Sequence, residues 1–129
     1  MHKQKTNIIL FGVGAVGYGL LELLWRGYTH WSMLTAGGIC FTFFGNIGAR
    51  LKNAGLLTKA IIGSLFITGI EFIFGVIFNI ILRKNVWDYS KLPFNIGGQI
   101  CILYSFYWAI ISVFCFPLAA KLKKAIKTN

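Results

Sequence analysis

The stretch GIEFIFGVIFNIIL, from Gly69 to Leu82, carries one charged side chain, Glu71. It is the second half of an apolar run that begins near Ala60. A run of about 18 or more apolar residues is typical of a helix that crosses a bilayer, because only a helix satisfies all its backbone groups inside hydrocarbon. The stretch therefore predicts a membrane-spanning helix with a carboxylate close to the middle of the span.

The rest of the chain has the same apolar character. Its 129 residues have a mean hydropathy of +0.71, and only 12% are charged, whereas a soluble domain is about 25% charged. The net charge of +10 would suggest a nucleic-acid partner in a soluble protein. Here the basic residues lie between and beyond the apolar runs, so we expect contact with anionic membrane lipid and no nucleic-acid partner.

Four apolar runs predict four transmembrane helices, at about residues 7–25, 31–49, 60–82 and 96–120. The predicted fold class is an all-α membrane protein in which residues 1–129 form a single membrane domain. Each half of the chain has a glutamate-bearing helix (Glu22 or Glu71), an aromatic loop, and then AGGIC or IGGQIC. Two similar helical hairpins related by a parallel repeat and chance similarity between apolar helices are both consistent with this pattern.

Lysine and arginine are distributed unequally between the two sides of these spans. One side has four of them: Arg26, Arg83, Lys84 and Lys91. The other side has nine: Lys3, Lys5, Arg50, Lys52, Lys59, Lys121, Lys123, Lys124 and Lys127. Because short, positively charged segments stay in the cytoplasm, this bias predicts a multi-pass protein of the cell membrane with both the N- and the C-terminus cytoplasmic.

The third predicted span has one polar face. Its members follow one another at steps of four, three, four and four residues: Ser64, Thr68, Glu71, Gly75 and Asn79. This spacing places all five on one side of an α-helix. The remaining positions are mostly Ile, Phe, Leu and Val, so we expect the polar face to point into the protein.

Two roles are open for Glu71. It could serve only as a hydrogen-bonding group between helices, a contact that contributes about 0.6 kcal/mol on average. Alternatively, it could line a polar cavity or an ion path, because ionisable groups inside membranes are retained mainly for function. At about 1.5 Å per residue, Glu71 would lie about 16 Å below the outer end of its span.

Polar residues on the other predicted spans extend this face into a candidate polar cavity. The candidate set is Glu71, Thr68, Asn79, Glu22, Arg26, Gln99, Ser105 and Thr42. Four of these residues are near the outer ends of their spans, and Thr42 and Ser105 are level with Glu71. This arrangement predicts an outward-facing polar vestibule that leads to a mid-membrane glutamate.

The outer loop, which we define as residues 83–95, contains a dense motif: Trp87, Asp88, Tyr89, Ser90 and Asn95. Asp and Asn side chains often bond to nearby backbone groups, so Asp88 and Asn95 predict a structured turn. Lining the entrance of the vestibule is the alternative role. The tryptophan and tyrosine of the loop fit a belt of aromatic residues at the membrane surface.

The segment VWDYSKLPFNIGGQICILYSFYW, from Val86 to Trp108, resembles the signature of the putative ABC-transporter type IV (CmpB-like) family of small bacterial integral membrane proteins. The matching pattern is W-D-Y-S, then P-F-N-x-x-G-x-I-C, then a helix with a tryptophan. GIEFIFG and GYGLLELLWRG are similar to earlier helices of that family. The resemblance implies a few membrane helices in the bacterial inner membrane, and the family name implies an ABC transporter permease.

Several function classes have no support in the sequence. It has no G-x-x-x-x-G-K-[ST] motif, no pair of histidines that could share a metal, and no visible Ser–His–Asp or Cys–His constellation. We therefore expect no enzymatic activity, no cofactor and no metal site. A separate ATPase partner is implied by the family name alone, and the cytoplasmic loop Arg50–Lys59 is short for docking one.

Two hypotheses for function remain. The leading one is a transport-type protein, either a permease-like subunit or a channel, that forms a homo-oligomer or joins a partner membrane protein. The alternative is a non-transporting scaffold or accessory protein that binds another membrane protein or lipid. In that case the polar faces are assembly seams, and nothing crosses the membrane through them.

Cysteine labelling tests the predicted topology. In a cysteine-free background, single cysteines placed at Lys52 and Thr128 should react only from the cytoplasmic side. A cysteine placed at Ser90 should react with external reagent, because the side with fewer basic residues faces outward. External labelling at Thr128 would contradict the predicted orientation.

Overall fold

The computed structural model describes residues 2–27, 29–48, 50–51, 53–84 and 86–128, without the side chains of residues 2, 3, 26, 127 and 128. It contains four α-helices: α1 (His2–Arg26), α2 (Trp31–Gly48), α3 (Leu56–Phe74) and α4 (Ile102–Thr128). A π-helix, Gly75–Ile81, continues α3, and two short strands, β1 (Asn95–Ile96) and β2 (Ile100–Cys101), precede α4. The predicted helical fold is therefore confirmed.

Three of the helices are long and apolar enough to cross a membrane. By length and composition, the candidate spans are Gln4–Trp25, Leu56–Ile81 and Ile102–Ile126. Among the described residues, α2 is not a candidate span. It has only 18 residues, and several of them are Gly, Ser or Thr. The four-span count and the cytoplasmic termini stay predictions, and Ala49, the predicted end of the second span, lies outside the described residues.

The fourth predicted span starts too early in the chain. Residues 96–101 form a β-hairpin with Asn95, in which Asn95 pairs with Cys101 and Ile96 with Ile100. Gly97 and Gly98 adopt positive φ values of 60° and 72°, a conformation that glycine accepts readily and that breaks a helix. The apolar composition of this segment hid its turn, so α4 begins at Ile102 and continues past Ala120.

Contacts divide the chain into two compact units. The first unit comprises Met1–Gly55 and Phe114–Asn129, and the second comprises Leu56–Val113. Helix α4 thus contributes its first half to the second unit and its second half to the first. The single membrane domain predicted from the sequence stays a prediction.

In the first unit, α1 and α2 form a helical hairpin with a seam of glycines. A Cβ atom at Gly37 would lie 2.6 Å from Cβ of Tyr18, and one at Gly45 would lie 2.7 Å from Cδ1 of Leu10. Small residues let helix backbones approach closely in membranes, where packing rather than the hydrophobic effect drives helix association. Gly37 and Gly45 are therefore positions where a side chain would force the two helices apart.

Large apolar side chains from α1, α2 and the second half of α4 also pack in the first unit. Leu10 and Phe116 are fully buried, and the ring of Phe116 meets that of Phe44 edge to face with centroids 4.6 Å apart. An amide and an amine bridge these helices, because Nδ2 of Asn46 donates to Oδ1 of Asn7 at 2.9 Å and Nζ of Lys123 donates to Oδ1 of Asn46 at 2.9 Å. The first unit thus combines tight apolar packing with one polar bridge.

Two glycines of α1 provide a matched test of the seam. A Cβ atom at Gly14 would overlap the Phe41 side chain and lie 2.7 Å from the Gly37 carbonyl oxygen, whereas one at Gly12 would meet no atom within 4 Å. We expect Gly14→Ala to destabilise the protein by about 1–3 kcal/mol through overpacking, and Gly12→Ala to cause no loss, since alanine favours helix. Thermal unfolding in detergent measures both, and equal midpoints would contradict the seam.

Candidate functional site

The candidate site lies in the second unit, along the polar face of α3. Near the start of this face, the Ser64 hydroxyl donates to the backbone oxygen of Ser105 at 2.6 Å. One turn further on, the hydroxyls of Thr68 and Ser105 are 2.9 Å apart. Two residues of the predicted face therefore bond to one residue of α4, and the structure brings the candidate residues Thr68 and Ser105 together.

Glu71 lies at the centre of the face and is only 5% exposed. Its Oε2 atom accepts a hydrogen bond from the Tyr89 hydroxyl at 2.9 Å, and its Oε1 atom accepts one from Nε1 of Trp108 at 3.3 Å. The carboxyl therefore faces the interior of the second unit, and it bonds to the outer loop and to α4. Hydrogen bonds to charged groups contribute about 1.5–3 kcal/mol, so each donor compensates part of the cost of burying the carboxylate.

Aromatic rings surround the two donors. The rings of Tyr89 and Tyr104 are stacked, with centroids 4.6 Å apart and an interplanar angle of 8°. Tyr104 also contacts Tyr107 edge to face at 5.6 Å and Trp108 at 6.5 Å. Trp87 lies 6.5 Å from Tyr89 on the outer loop. We call these five residues the aromatic cluster, and two of its members bond directly to Glu71.

Asn79, the last residue of the polar face, lies in the π-helix and holds the outer loop in place. Asn79 donates from Nδ2 to Oε1 of Gln99 at 2.8 Å. Its Oδ1 atom accepts the backbone N–H of Val86 at 2.7 Å and that of Trp87 at 3.4 Å. One amide side chain therefore fastens both the start of the outer loop and the β1–β2 hairpin, and it brings the candidates Asn79 and Gln99 together.

Gly75 allows these groups to approach the helix closely. A Cβ atom there would lie 2.5 Å from Oε1 of Gln99 and 3.0 Å from Cζ2 of Trp87. The indole N–H of Trp87 donates to the Gln99 carbonyl oxygen at 2.8 Å, and both residues are buried. Single π-helical segments within α-helices are frequent at functional sites, and this one coincides with the place where the loop packs on the helix.

Asp88 and Asn95 organise the loop locally. Oδ1 of Asp88 accepts the Ser90 backbone N–H at 2.9 Å, while Asn95 accepts from the Gly98 N–H at 3.0 Å and donates to the Leu92 carbonyl at 2.9 Å. These are local backbone bonds of the kind expected in a structured turn. Asp88 itself is exposed.

The Ser90 backbone N–H, followed by the Ser90 hydroxyl, holds the pKa of Asp88 below its ordinary value of 3.8. A carboxyl whose pKa is lower in the folded state stabilises that state above the unfolded pKa. The contribution of this turn is therefore present at neutral pH, and it is lost as the pH falls below 3.8 and through the folded pKa. Because the carboxylate is exposed to solvent, the effect is small.

The remaining candidates belong to the first unit. Glu22 is buried and accepts a hydrogen bond from the Thr29 hydroxyl at 2.8 Å. The Thr42 hydroxyl donates to the Gly38 carbonyl of its own helix at 2.8 Å. The side chain of Arg26 lies outside the described residues. The site as built from observed contacts therefore consists of second-unit residues.

The sequence-based interpretation missed the inward orientation of the loop aromatics. Trp87 and Tyr89 were expected in a surface belt, but Trp87 is 6% exposed and Tyr89 bonds to Glu71. Tyr104 was not identified at all. The available signal was chemical, since buried Tyr and Trp side chains usually find a hydrogen-bond acceptor, and the third span carries a carboxylate.

Removing the Tyr89 hydroxyl tests the bond to Glu71. Tyr89→Phe keeps the ring that stacks on Tyr104, so we expect it to lower the free energy of unfolding by about 1–3 kcal/mol through the lost donor. Tyr107→Phe is the matched control, because Tyr107 contacts Tyr104 through its ring. Thermal unfolding in detergent measures both variants.

A double-mutant cycle with Glu71→Gln separates this bond from other effects of the substitution. We expect a coupling energy between positions 71 and 89 of about 0.5 kcal/mol or more, and none between positions 71 and 107. Additive effects at positions 71 and 89 would show that the hydroxyl does not support the carboxylate.

Comparison with known proteins identifies the group to which the chain belongs. The family described as putative ABC-transporter type IV matches residues 6–128, which include the whole site. No curated protein and no solved structure matches the chain significantly. The match covers nearly the complete sequence and agrees with three apolar helices of membrane-spanning length. The chain is therefore a membrane protein that belongs to the putative ABC-transporter type IV family.

Proposed function

We propose that the protein is a transport-type membrane subunit, permease-like or channel-forming, in which Glu71 handles the permeating species. The observation that carries this proposal is a buried carboxylate inside a candidate span, bonded to Tyr89 and Trp108. The family description supports the same class of function.

The cost of the carboxylate argues for a role beyond packing. A charged side chain at the centre of a membrane helix costs about 2.5–3.5 kcal/mol even on insertion scales. An inter-helix contact could be made by a neutral amide or hydroxyl, as Thr68 and Ser105 do one turn away. Glu71 instead supplies an anionic acceptor between two neutral donors, a group suited to receive a cation or a proton.

The outer loop supports an outward-facing route to Glu71. Tyr89 is a loop residue, and its hydroxyl contacts the carboxylate directly. Further polar groups come from Asn79, which follows Glu71 on the same face, and from Gln99 in the turn of the β1–β2 hairpin, and the two side chains bond to each other. We propose that the permeating species enters past these residues and replaces the Tyr89 hydroxyl at the Glu71 carboxylate. This route is the vestibule expected from the sequence, without the candidate residues of the first unit.

A single chain of this size has little room to enclose a pathway. We therefore propose that the protein acts as a homo-oligomer or with a partner membrane protein. Residues 1–129 contain no phosphate-binding loop. An ATPase acting on this chain would meet the short segment between α2 and α3, which is cytoplasmic under the predicted topology.

One observation favours the alternative, a scaffold that carries nothing. Every residue of the polar face of α3 has a partner inside the second unit, including the loop contact at Gly75. A structural seam requires such complete pairing. The two functions differ in what they require of the carboxylate, because a seam needs only an acceptor whereas transport needs a charge that can be neutralised.

Flux through liposomes containing the purified protein decides between them. We expect Glu71→Gln to fold but to lower the flux of the transported species at least about tenfold, since the amide keeps one of the two acceptor oxygens and loses the charge. Asp88→Asn is the matched control, because it changes an exposed carboxylate that only organises the loop. Parent-like flux in Glu71→Gln would refute the role of Glu71, and a parent protein without flux for any solute in a broad panel would favour the scaffold.

A further inference from the structure

We infer that the site at Glu71 binds an organic ammonium ion, meaning a singly charged amine or quaternary ammonium with apolar substituents. The inference rests on the proposed function and names its substrate class. It is based on the placement of one buried carboxylate against the aromatic cluster in the second unit.

The charge of the site fits a monovalent ligand. Glu71 supplies one negative charge, and Tyr89 and Trp108, which both bond to it, are neutral donors. The described residues include no group of three or more His, Cys, Asp or Glu that could hold a metal ion. Calcium takes six to eight oxygen ligands and magnesium needs near-ideal octahedral coordination, so this site is poorly suited to divalent ions.

The aromatic cluster supplies the other half of the recognition. A cation within about 6 Å of a Trp or Tyr ring centroid is attracted to the ring face, and aromatic cages are the usual way in which proteins bind quaternary ammonium groups. Trp108 and Tyr89 touch the carboxylate through their polar atoms, and Tyr104 packs against both. A cation that takes the place of the Tyr89 hydroxyl would therefore lie next to these rings, and its apolar substituents would contact them.

Hydration separates this ligand class from alkali ions. A sodium ion must give up strongly bound water and needs oxygen ligands in return, which indole and phenol rings do not provide. An organic ammonium carries its charge under apolar groups, so its transfer from water to an aromatic surrounding costs less than that of a sodium ion. Rings beside a carboxylate thus favour the organic ion.

Binding replaces an existing contact rather than filling an unused one. The Tyr89 hydroxyl gives up its bond to Oε2 of Glu71, and the cation takes its place. For a protonated amine the new bond is charge-assisted and roughly twice as strong as a neutral one. Tyr89 keeps its stacking on Tyr104 during this exchange, because the stacking involves the ring and not the hydroxyl.

Titration of the purified full-length protein in detergent with benzyltrimethylammonium tests the inference, with heat of binding and tryptophan fluorescence as readouts. We expect saturable binding in the millimolar range or tighter, and neither sodium ion nor benzenesulfonate should compete. Glu71→Gln should weaken binding at least about tenfold, because it removes the negative charge that attracts the quaternary ammonium, and Trp108→Phe should weaken it about threefold to tenfold. Trp25→Phe, at an exposed tryptophan of the first unit, should bind like the parent.

Three results would overturn the inference: no saturable binding to the folded parent, equal binding by folded Glu71→Gln, or competition by sodium ion. If Glu71→Gln does not fold, parent-like binding by Trp108→Phe refutes the site, and weakened binding by it supports the site. Flux of another solute that depends on Glu71, without ammonium binding, would remove the substrate class and leave the proposed function. Ammonium binding without flux would leave the site and remove transport.

Discussion

The buried carboxylate of Glu71 is the constraint on which the second unit depends. A carboxylate removed from water needs donors, and the backbone N–H groups inside a helix are already bonded within it. The donors come from two other segments, the outer loop through Tyr89 and α4 through Trp108. The loop must therefore fold back onto the helix, and α4 must present its indole towards it. Tyrosine stacking and the Asn79 bonds then hold the loop in that position.

The first unit is held together in a different way. Its two helices meet through glycines, so their backbones approach closely and the contact is mainly van der Waals packing. Thr42 and Glu22 find partners close by in the chain, and Asn46 bridges to Asn7 and Lys123 on the neighbouring helices. A packed hairpin of this kind gives stability with little chemistry. The chemistry of the chain is concentrated where the helix face is polar and the neighbours are aromatic.

The sequence predicted features that depend on neighbouring residues, and it missed features that depend on contacts between residues far apart in the chain. The helices α1, α2 and α3 were predictable because apolar length is a property of composition, and the polar face of α3 because helical spacing is local. The start of α4 was misplaced because the hairpin around Gly97 and Gly98 is apolar in composition while its backbone is not helical. The bond between Tyr89 and Glu71 joins residues 18 positions apart, and no local pattern shows that a loop aromatic turns inward.

The geometry of the π-helix at Gly75–Ile81 depends on how many residues the segment contains more than on which residues they are. Its closing bond runs from the Leu82 N–H to the Ile77 carbonyl at 2.9 Å, five residues back, so the segment contains more residues per turn than an α-helix. Loss of one residue here would restore α-helical geometry and rotate everything beyond it by about 100° relative to Glu71. Asn79 would then turn away from Gln99 even though every side chain was retained. Between Gly75 and Ile81 a deletion is therefore more damaging than most substitutions, because the number of residues sets the direction in which the loop leaves the helix.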